Sequence, residues 1–163
     1  LTIEGGSNKT FTGNTDVSNI LDINGGVLVL NNSSHKITVA AVTLDASFIN
    51  ISDGEMECSG TFDHNGGNLT MSGGTLDLNG DYESAANSNS SISDGNITIA
   101  GNWTAAADDA FNPTGGTVTF DGSSDKNLTF NASSNFHNLT ISNTGSSDVD
   151  VANDLDIKFF KSL

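Results

Sequence analysis

Carboxylates are the most abundant groups in the chain that could carry acid–base chemistry. The 20 Asp and Glu residues include one adjacent aspartate pair, Asp108-Asp109. Cleavage of a glycosidic bond needs two carboxyl groups at a fixed separation, and polysaccharide lyases and hydrolases commonly add a basic residue such as arginine. The sequence contains no Arg, no Gly-His-Gly and no Arg-x-Lys. We therefore interpret Asp108-Asp109 as a solvated turn and predict that the protein is not an enzyme.

Three histidines, His35, His64 and His137, are the other residues that could act as general bases or metal ligands. His35 and His137 open two copies of a repeat described below, with several copies between them, so they cannot share a metal ion. His64 lies between Asp63 and an Asn-Gly pair, which is typical of a turn. We predict no catalytic or metal-binding role for these side chains.

Calcium is the one cofactor that the sequence leaves open. Acidic turns offer the hard oxygen ligands that Ca²⁺ prefers, although the chain has neither an EF-hand loop nor the Gly-Gly-x-Gly-x-Asp nonapeptide of calcium-binding β-rolls. The candidate ligands of a structural calcium ion are Asp148, Asp150, Asp154 and Asp156. We expect no other cofactor.

Asparagine sequons are frequent. Asn-x-Ser/Thr occurs eleven times, partly because Asn-Leu-Thr and Asn-Ile-Thr open predicted strands. In a host with the glycosylation machinery these asparagines would accept glycans. The candidate glycosylation sites are Asn68, Asn96, Asn102, Asn127 and Asn138.

The net charge is −15, and all five cationic residues are lysines. Phosphate contacts need a basic surface, so nucleic acid is a poor partner. No stretch approaches the roughly 20 apolar residues of a membrane span, so we expect no membrane insertion. A strongly acidic surface suits a protein that stays soluble outside the cell.

A short alternating phrase recurs along the chain at intervals of 16 to 21 residues. Gly74-Thr-Leu-Asp-Leu-Asn-Gly80, for example, returns as Gly95-Asn-Ile-Thr-Ile-Ala-Gly101. Alternation with period two indicates strands with one buried face. The first predicted inward column holds Leu1, Leu21, Ile37, Met56, Leu76, Ile97, Val118, Leu139 and Leu155. The second holds Ile3, Ile23, Val39, Cys58, Leu78, Ile99, Phe120, Ile141 and Ile157.

These columns predict an all-β fold, a parallel β-helix (β-solenoid) of about nine rungs forming a single domain over residues 1–163. The period is too short for a strand–helix–strand unit. Stacked rungs about 4.8 Å apart give a rod on the order of 40 Å long. Glycines at one end of the phrase supply bends because they tolerate tight corners, and we expect loops at 31–34 and 105–109. The corner glycines are Gly5, Gly25, Gly60, Gly80, Gly101 and Gly122.

Three aromatic side chains and the single cysteine occupy positions that recur from rung to rung. Phe62, Tyr82 and Trp103 align after the corner glycine and are either stacked inside the coil or form a stripe on its surface. Cys58 lies in an inward column between Val39 and Leu78, and we expect it to be a core thiol that acts as a small hydrophobe.

The segment Phe111-Asn-Pro-Thr-Gly-Gly-Thr-Val-Thr-Phe-Asp-Gly122, followed by Asn135-Phe-His-Asn-Leu-Thr-Ile141, resembles the β-strand repeats of large bacterial surface proteins, the adhesins and autotransporter-like passengers. The likeness is sharpest over residues 66–157. It implies a parallel β-helix displayed outside the cell in adhesion, motility or matrix roles, and it implies no catalytic residues.

Apolar residues at both ends of the predicted coil lack polar caps, which repeat rods normally need. We expect end contacts to copies of the same chain or to the rest of a longer chain, with further β-structure at one or both ends. The residues involved are Leu1, Ile3, Ile157, Phe159 and Phe160.

The function predicted from these features is that of an extracellular or cell-surface β-helical rod. It is either an adhesin repeat region or a filament subunit, structural or adhesive and without catalysis. The alternative is a carbohydrate-binding module, less readily a carbohydrate-cleaving one, that grips surface glycans through exposed aromatic rings such as Tyr82 or Trp103.

Overall fold

The structure is a computed structural model that describes residues 1–6, 8–105, 111–130 and 134–144, and the backbone of 149–152. Over these residues the chain forms β-strands, and it contains no helix that could cross a membrane. The strands are β1 (Thr2–Glu4), β2 (Asn8–Thr10), β3 (Thr15–Asn24), β4 (Val27–Asp45), β5 (Phe48–Cys58), β6 (Phe62–His64), β7 (Gly67–Leu78), β8 (Tyr82–Ser84), β9 (Ser88–Ile99), β10 (Trp103–Ala105), β11 (Thr117–Phe120), β12 (Lys126–Thr129), β13 (Asn138–Ile141) and β14 (Val149–Ala152).

All pairings between these strands are parallel, and each joins one turn of a coil to the next. Met56, for example, lies beside Ile37 of the previous turn and Leu76 of the following one. Such pairing confirms the predicted all-β parallel β-solenoid. The structure has about six turns, fewer than the nine predicted. At about 4.8 Å per turn, six turns rise roughly 29 Å.

Each turn has three sides, because the long strands bend where their register shifts. Side A comprises β2, 27–30, 48–51, 67–71 and 88–92. Side B comprises 15–17, 36–39, 55–58, 75–78 and 96–99, followed by β11 and β13. Side C comprises β1, 20–24, 41–45, β6, β8, β10, β12 and β14.

Between the end turns, alternate side chains of every side point inward and stack on side chains of adjacent turns, whereas Ile141, predicted to point inward, is 51% exposed in β13. On side B, Cys58 lies between Val39 and Leu78, and each of the three is at most 1% exposed. Burial of apolar surface is the main source of stability in such a coil, and each turn contributes through its contacts with its two neighbours.

The count of nine rungs was too high because two early copies belong to a different side. Leu21 and Ile23 stack beside Val42 and Leu44 on side C, and Ile3 stacks beside Ile23. The side-B strand of that turn is instead Thr15–Val17, which pairs with Ile37–Val39. The sequence did not reveal this strand because Thr15 occupies the position where later turns carry an apolar residue. The ninth copy, with Leu155 and Ile157, lies outside the described residues.

Two columns of glycine mark the corners of the coil for different reasons. Between sides A and B, Gly54, Gly74, Gly95 and Gly116 have positive φ angles of 68° to 99°, which disfavour residues with a Cβ. Between sides B and C, the φ angles of Gly60, Gly80 and Gly101 are not positive. The predicted reason for glycine here, a tight bend, is therefore corrected: glycine is needed because the backbones of adjacent turns stack closely. A Cβ on Gly101 would lie 2.2 Å from the carbonyl oxygen of Gly80.

Residues 31–34, predicted as a loop, remain inside β4, but their side chains are exposed and the strand register shifts on either side of them. The second predicted loop, 105–109, lies outside the described residues apart from Ala105, which ends β10.

Candidate functional site

The aromatic residues aligned by the sequence lie inside the coil. Tyr82 and Trp103 are each 1% exposed. Their rings stack with centroids 4.2 Å apart, and Phe62 stacks on the other face of Tyr82 at 5.8 Å. Of the two alternatives, the interior stack is therefore the one observed. A glycan cannot reach these rings, so the basis on which they suggested carbohydrate binding is removed.

His64 is an inward residue of side C, and its interpretation as part of a turn was wrong. The ring is fully buried, with Nδ1 3.1 Å from the Tyr82 hydroxyl and Nε2 3.3 Å from the carbonyl oxygen of Gly67. A neutral imidazole satisfies both contacts if Nε2–H donates to Gly67 and Nδ1 accepts from Tyr82. Because it is enclosed and paired, His64 completes the core.

His35 and His137 are far apart, as expected from their positions in the repeat. The neighbouring residues Lys36 and Asn138 are separated by five turns of side B, or about 24 Å. No single ion or substrate atom can contact both imidazoles.

Side B carries a compact group of charges that the sequence reasoning did not single out. Ligand oxygens of Glu55, Glu57 and Asp77 lie within 4.8 Å of one another. The Lys36 amine lies 2.7 Å from Glu55 Oε1 and 2.5 Å from Glu57 Oε2, while the Thr98 hydroxyl donates to Asp77 Oδ1 at 2.6 Å. The signal available in the sequence was one-turn spacing, which places Lys36 beside Glu55 and Glu57 beside Asp77.

This group suits a calcium ion by donor type, but Lys36 already supplies the positive charge. The hydrogen bonds that it donates to Glu55 and Glu57 raise the pKa of Lys36, so the amine stays protonated at any physiological pH. The side chains of Lys36 and Glu55 are more than a third exposed and that of Glu57 is 27% exposed, and such solvent-accessible pairs contribute little to stability. We assign the cluster to surface charge balance between turns.

Lys126 is an unexpected inward cation on side C. It is 4% exposed, and its Nζ donates to the Ser124 hydroxyl at 2.7 Å. The end of its side chain fills the corner at Gly122, where a Cβ would lie 2.5 Å from Lys126 Cε. The aliphatic stem is thus packed while the amine reaches a polar partner.

Cys58 is fully buried, as expected for a core thiol. Burial raises the pKa of the Cys58 thiol to about 11. Since the thiolate is the reactive form of cysteine, this residue is suited to packing and unsuited to nucleophilic chemistry.

Most of the remaining predicted site residues fall near the chain's C-terminal end. Asp148, Asp154, Asp156, Ile157, Phe159 and Phe160 lie outside the described residues, as do Asp108 and Asp109. Asp150 lies in β14, of which the backbone alone is described. Of the predicted end contacts, Leu1 is 54% exposed, whereas Ile3 is buried in the first turn.

The candidate glycosylation sites differ in how freely they present their amides. Asn96, Asn127 and Asn138 are exposed, and Asn68 and Asn102 are half-buried. The Asn102 amide donates to Asp81 Oδ1 at 3.1 Å, and the Asn138 amide donates to the carbonyl oxygen of Gly116 at 2.9 Å. Asn68 and Asn96 have no comparable side-chain hydrogen bond to any described residue.

Apart from the exposed Lys9 in β2, side A presents an outer surface without charge. Its first outward column contains Val27, Phe48, Asn68 and Asn89 in successive turns. Its second contains Val29, Asn50, Thr70 and Ser91. We call these eight positions the neutral face.

The other two sides differ from the neutral face in charge. Side B bears Lys36 and the carboxylates described above. The central outward column of side C includes Asp22, Asp63 and Glu83. Carboxylates reappear beside the neutral face at the bend, where Asp53 and Asp94 follow it. Sequence reasoning missed the face because the outward residues had not been sorted by side.

Comparisons of the chain with protein-family models, with curated proteins and with solved structures give no match.

Proposed function

We propose that this chain serves as an extracellular β-helical rod, the repeat region of a surface adhesin or a subunit of a filament. The single observation that carries the proposal is the regular parallel ladder, in which about six turns stack by the same backbone pairing and enclose a core of apolar columns. A coil of this kind supplies length and a large regular surface. The resemblance of 111–122 and 135–141 to surface-protein repeats supports the same role.

The proposal includes no catalysis. Within the described residues, His64 is buried and paired, and His35 and His137 are five turns apart. In the compact carboxylate cluster of side B, both glutamates form ion pairs with Lys36. The chain also lacks arginine throughout. Among the described residues, neither these histidines nor the carboxylates held by Lys36 are both free and suitably placed for an acid–base reaction.

Growth of the rod at its ends is part of the proposal. A parallel ladder can continue indefinitely, because each further turn offers its neighbour the same row of donors and acceptors at the same spacing. The additional turns would come from copies of this chain or from the rest of a longer chain. Sedimentation velocity tests association between copies: we expect larger species as concentration rises, reduced in a Phe159→Ser, Phe160→Ser double variant. If the chain is a monomer at all concentrations and the double substitution changes nothing, association between copies is ruled out.

The role at the surface is tested in cells of the source organism. An antibody to this chain should label intact, unpermeabilised cells, and deletion of the segment should weaken attachment to a surface. Replacement by an unrelated solenoid of equal length distinguishes a structural role from an adhesive one. If the segment acts only as a spacer, the replacement restores attachment, whereas an adhesive segment cannot be replaced in this way. Labelling only after permeabilisation would contradict the surface location, and normal attachment without the segment would contradict the adhesin role.

A further inference from the structure

The neutral face combines three properties that the rest of the described surface does not share. None of its eight positions bears a charge, in a chain of net charge −15. It contains Phe48, the one aromatic ring among the described large hydrophobic side chains that are clearly exposed, at 43%. Asn50, Asn68 and Asn89 make no side-chain hydrogen bond to any described residue.

The arrangement of these groups follows from the strand geometry. Asn68 lies beside Phe48 in the next turn, about 4.8 Å away between backbones, and Asn50 follows on the same strand about 6.7 Å along it. The exposed ring is therefore bordered by amides on two edges. Val27, on the preceding turn, extends the apolar part of the face.

Amide side chains offer both donors and acceptors. A flat apolar ring bordered by free amides matches a sugar, which presents a C–H face together with hydroxyl groups that donate and accept. Lys9 lies on β2, beside the first strand of the face, whereas the carboxylates of Asp53 and Asp94 follow its second and fourth strands and disfavour an anionic ligand near Phe48 and Asn68. The chemistry therefore favours a neutral glycan.

The size of the face argues against a second copy of the chain as its occupant. Four strands at about 4.8 Å spacing and four residues at about 3.3 Å give roughly 250 Å². A stable protein–protein interface buries about 800 Å² on each partner, which is several times more than the face provides. A few sugar units of a polysaccharide need no larger surface.

From these observations we propose that the neutral face binds uncharged polysaccharide chains, with Phe48 packing against a sugar ring and Asn50 and Asn68 hydrogen-bonding to its hydroxyls. This deepens the adhesive part of the proposed function by assigning the ligand class and the side that binds it. The ligand site differs from the one suggested by Tyr82 and Trp103, which are enclosed in the core.

Titration calorimetry of the whole chain with cellohexaose, chitohexaose and mannohexaose tests the proposal, with oligogalacturonate as the anionic comparison. We expect binding of at least one neutral oligosaccharide and none of the anionic one. Asn68→Asp, which changes an amide to a carboxylate of the same shape, should weaken binding at least tenfold, and Phe48→Thr should do the same. Asn96→Asp makes the identical change on side B and should leave affinity within twofold.

Three results would overturn the proposal: no binding of any neutral oligosaccharide, equal weakening by Asn68→Asp and Asn96→Asp, or concentration-dependent association of the chain that Asn68→Asp abolishes. The last would assign the face to a second copy. If the glycan experiment fails while deletion of the segment still weakens cell attachment, the rod function stands and this ligand assignment alone is wrong.

Discussion

The tolerance of each position to a charge depends on which way its side chain points. Leu78 lies on side B between Cys58 and Ile99 and is fully buried. Thr119 is an outward residue of the same side, with Thr98 and Thr140 as its neighbours in adjacent turns. The two positions therefore compare a core column with a surface column in one sheet.

We predict that Leu78→Asp lowers the free energy of unfolding by several kcal/mol, because the carboxylate would be buried without a partner. Thr119→Asp should lower it by less than about 1 kcal/mol. Urea denaturation followed by circular dichroism measures both values. Similar losses in the two variants would mean that the assignment of inward and outward columns is incorrect.

Cys58 reports directly on the closure of the core. Its thiol is fully buried and has a pKa of about 11, against an ordinary value of about 8.5. We predict that a thiol reagent at about pH 8 labels the folded protein far more slowly than the urea-unfolded protein, because both access and thiolate formation are suppressed. Rapid labelling without denaturant would show that side B is open at this turn.

Among the elements, the corner between sides B and C depends on glycine stacked upon glycine. A Cβ on Gly101 would meet the backbone of Gly80 at 2.2 Å and 2.3 Å, whereas nothing lies within 4 Å of the Cβ position on Gly13. We predict that Gly101→Ala costs about 2 kcal/mol or more, since backbone atoms of two turns must separate. The control Gly13→Ala should change stability by less than about 0.5 kcal/mol. Thermal unfolding of the two variants makes the comparison, and an undisturbed Gly101→Ala protein would refute the stacked corner.

Alternation alone predicted the element type and most of the core. The columns from Ile37 to Leu139 were recognisable because strands of one side repeat the same inward pattern at nearly constant spacing. The same rule misplaced Leu21 and Ile23, since sides B and C alternate identically and differ only in which strands they pair with. Pairing between turns is a long-range property, and a short phrase does not contain it.

Features that depend on contacts between turns, or on sorting residues by side, were harder to obtain from sequence. His64 resembled a turn residue because Asn65-Gly66 follows it, yet its ring is held inside by Tyr82 of the next turn. The neutral face emerges only when outward residues are grouped by side, because charges from sides B and C are interleaved with it along the chain.

At the scale of the whole molecule, the rod is a one-dimensional stack in which turns interact with adjacent turns. Residues far apart in sequence therefore have separations set by the number of turns between them. Thr38 and Thr140 occupy the same outward column of side B and are five turns apart, through Glu57, Asp77, Thr98 and Thr119.

Distances between spin labels on that column test the stacked coil most directly. In a Cys58→Ala background, spin labels are attached at Thr38→Cys and at either Thr119→Cys or Thr140→Cys. The distance between the two labels is measured by pulsed electron–electron double resonance. Four and five turns predict backbone separations of about 19 Å and 24 Å, so the second mean distance should exceed the first by about 5 Å. Mean distances above about 40 Å, or a second distance no longer than the first, would contradict the parallel β-solenoid.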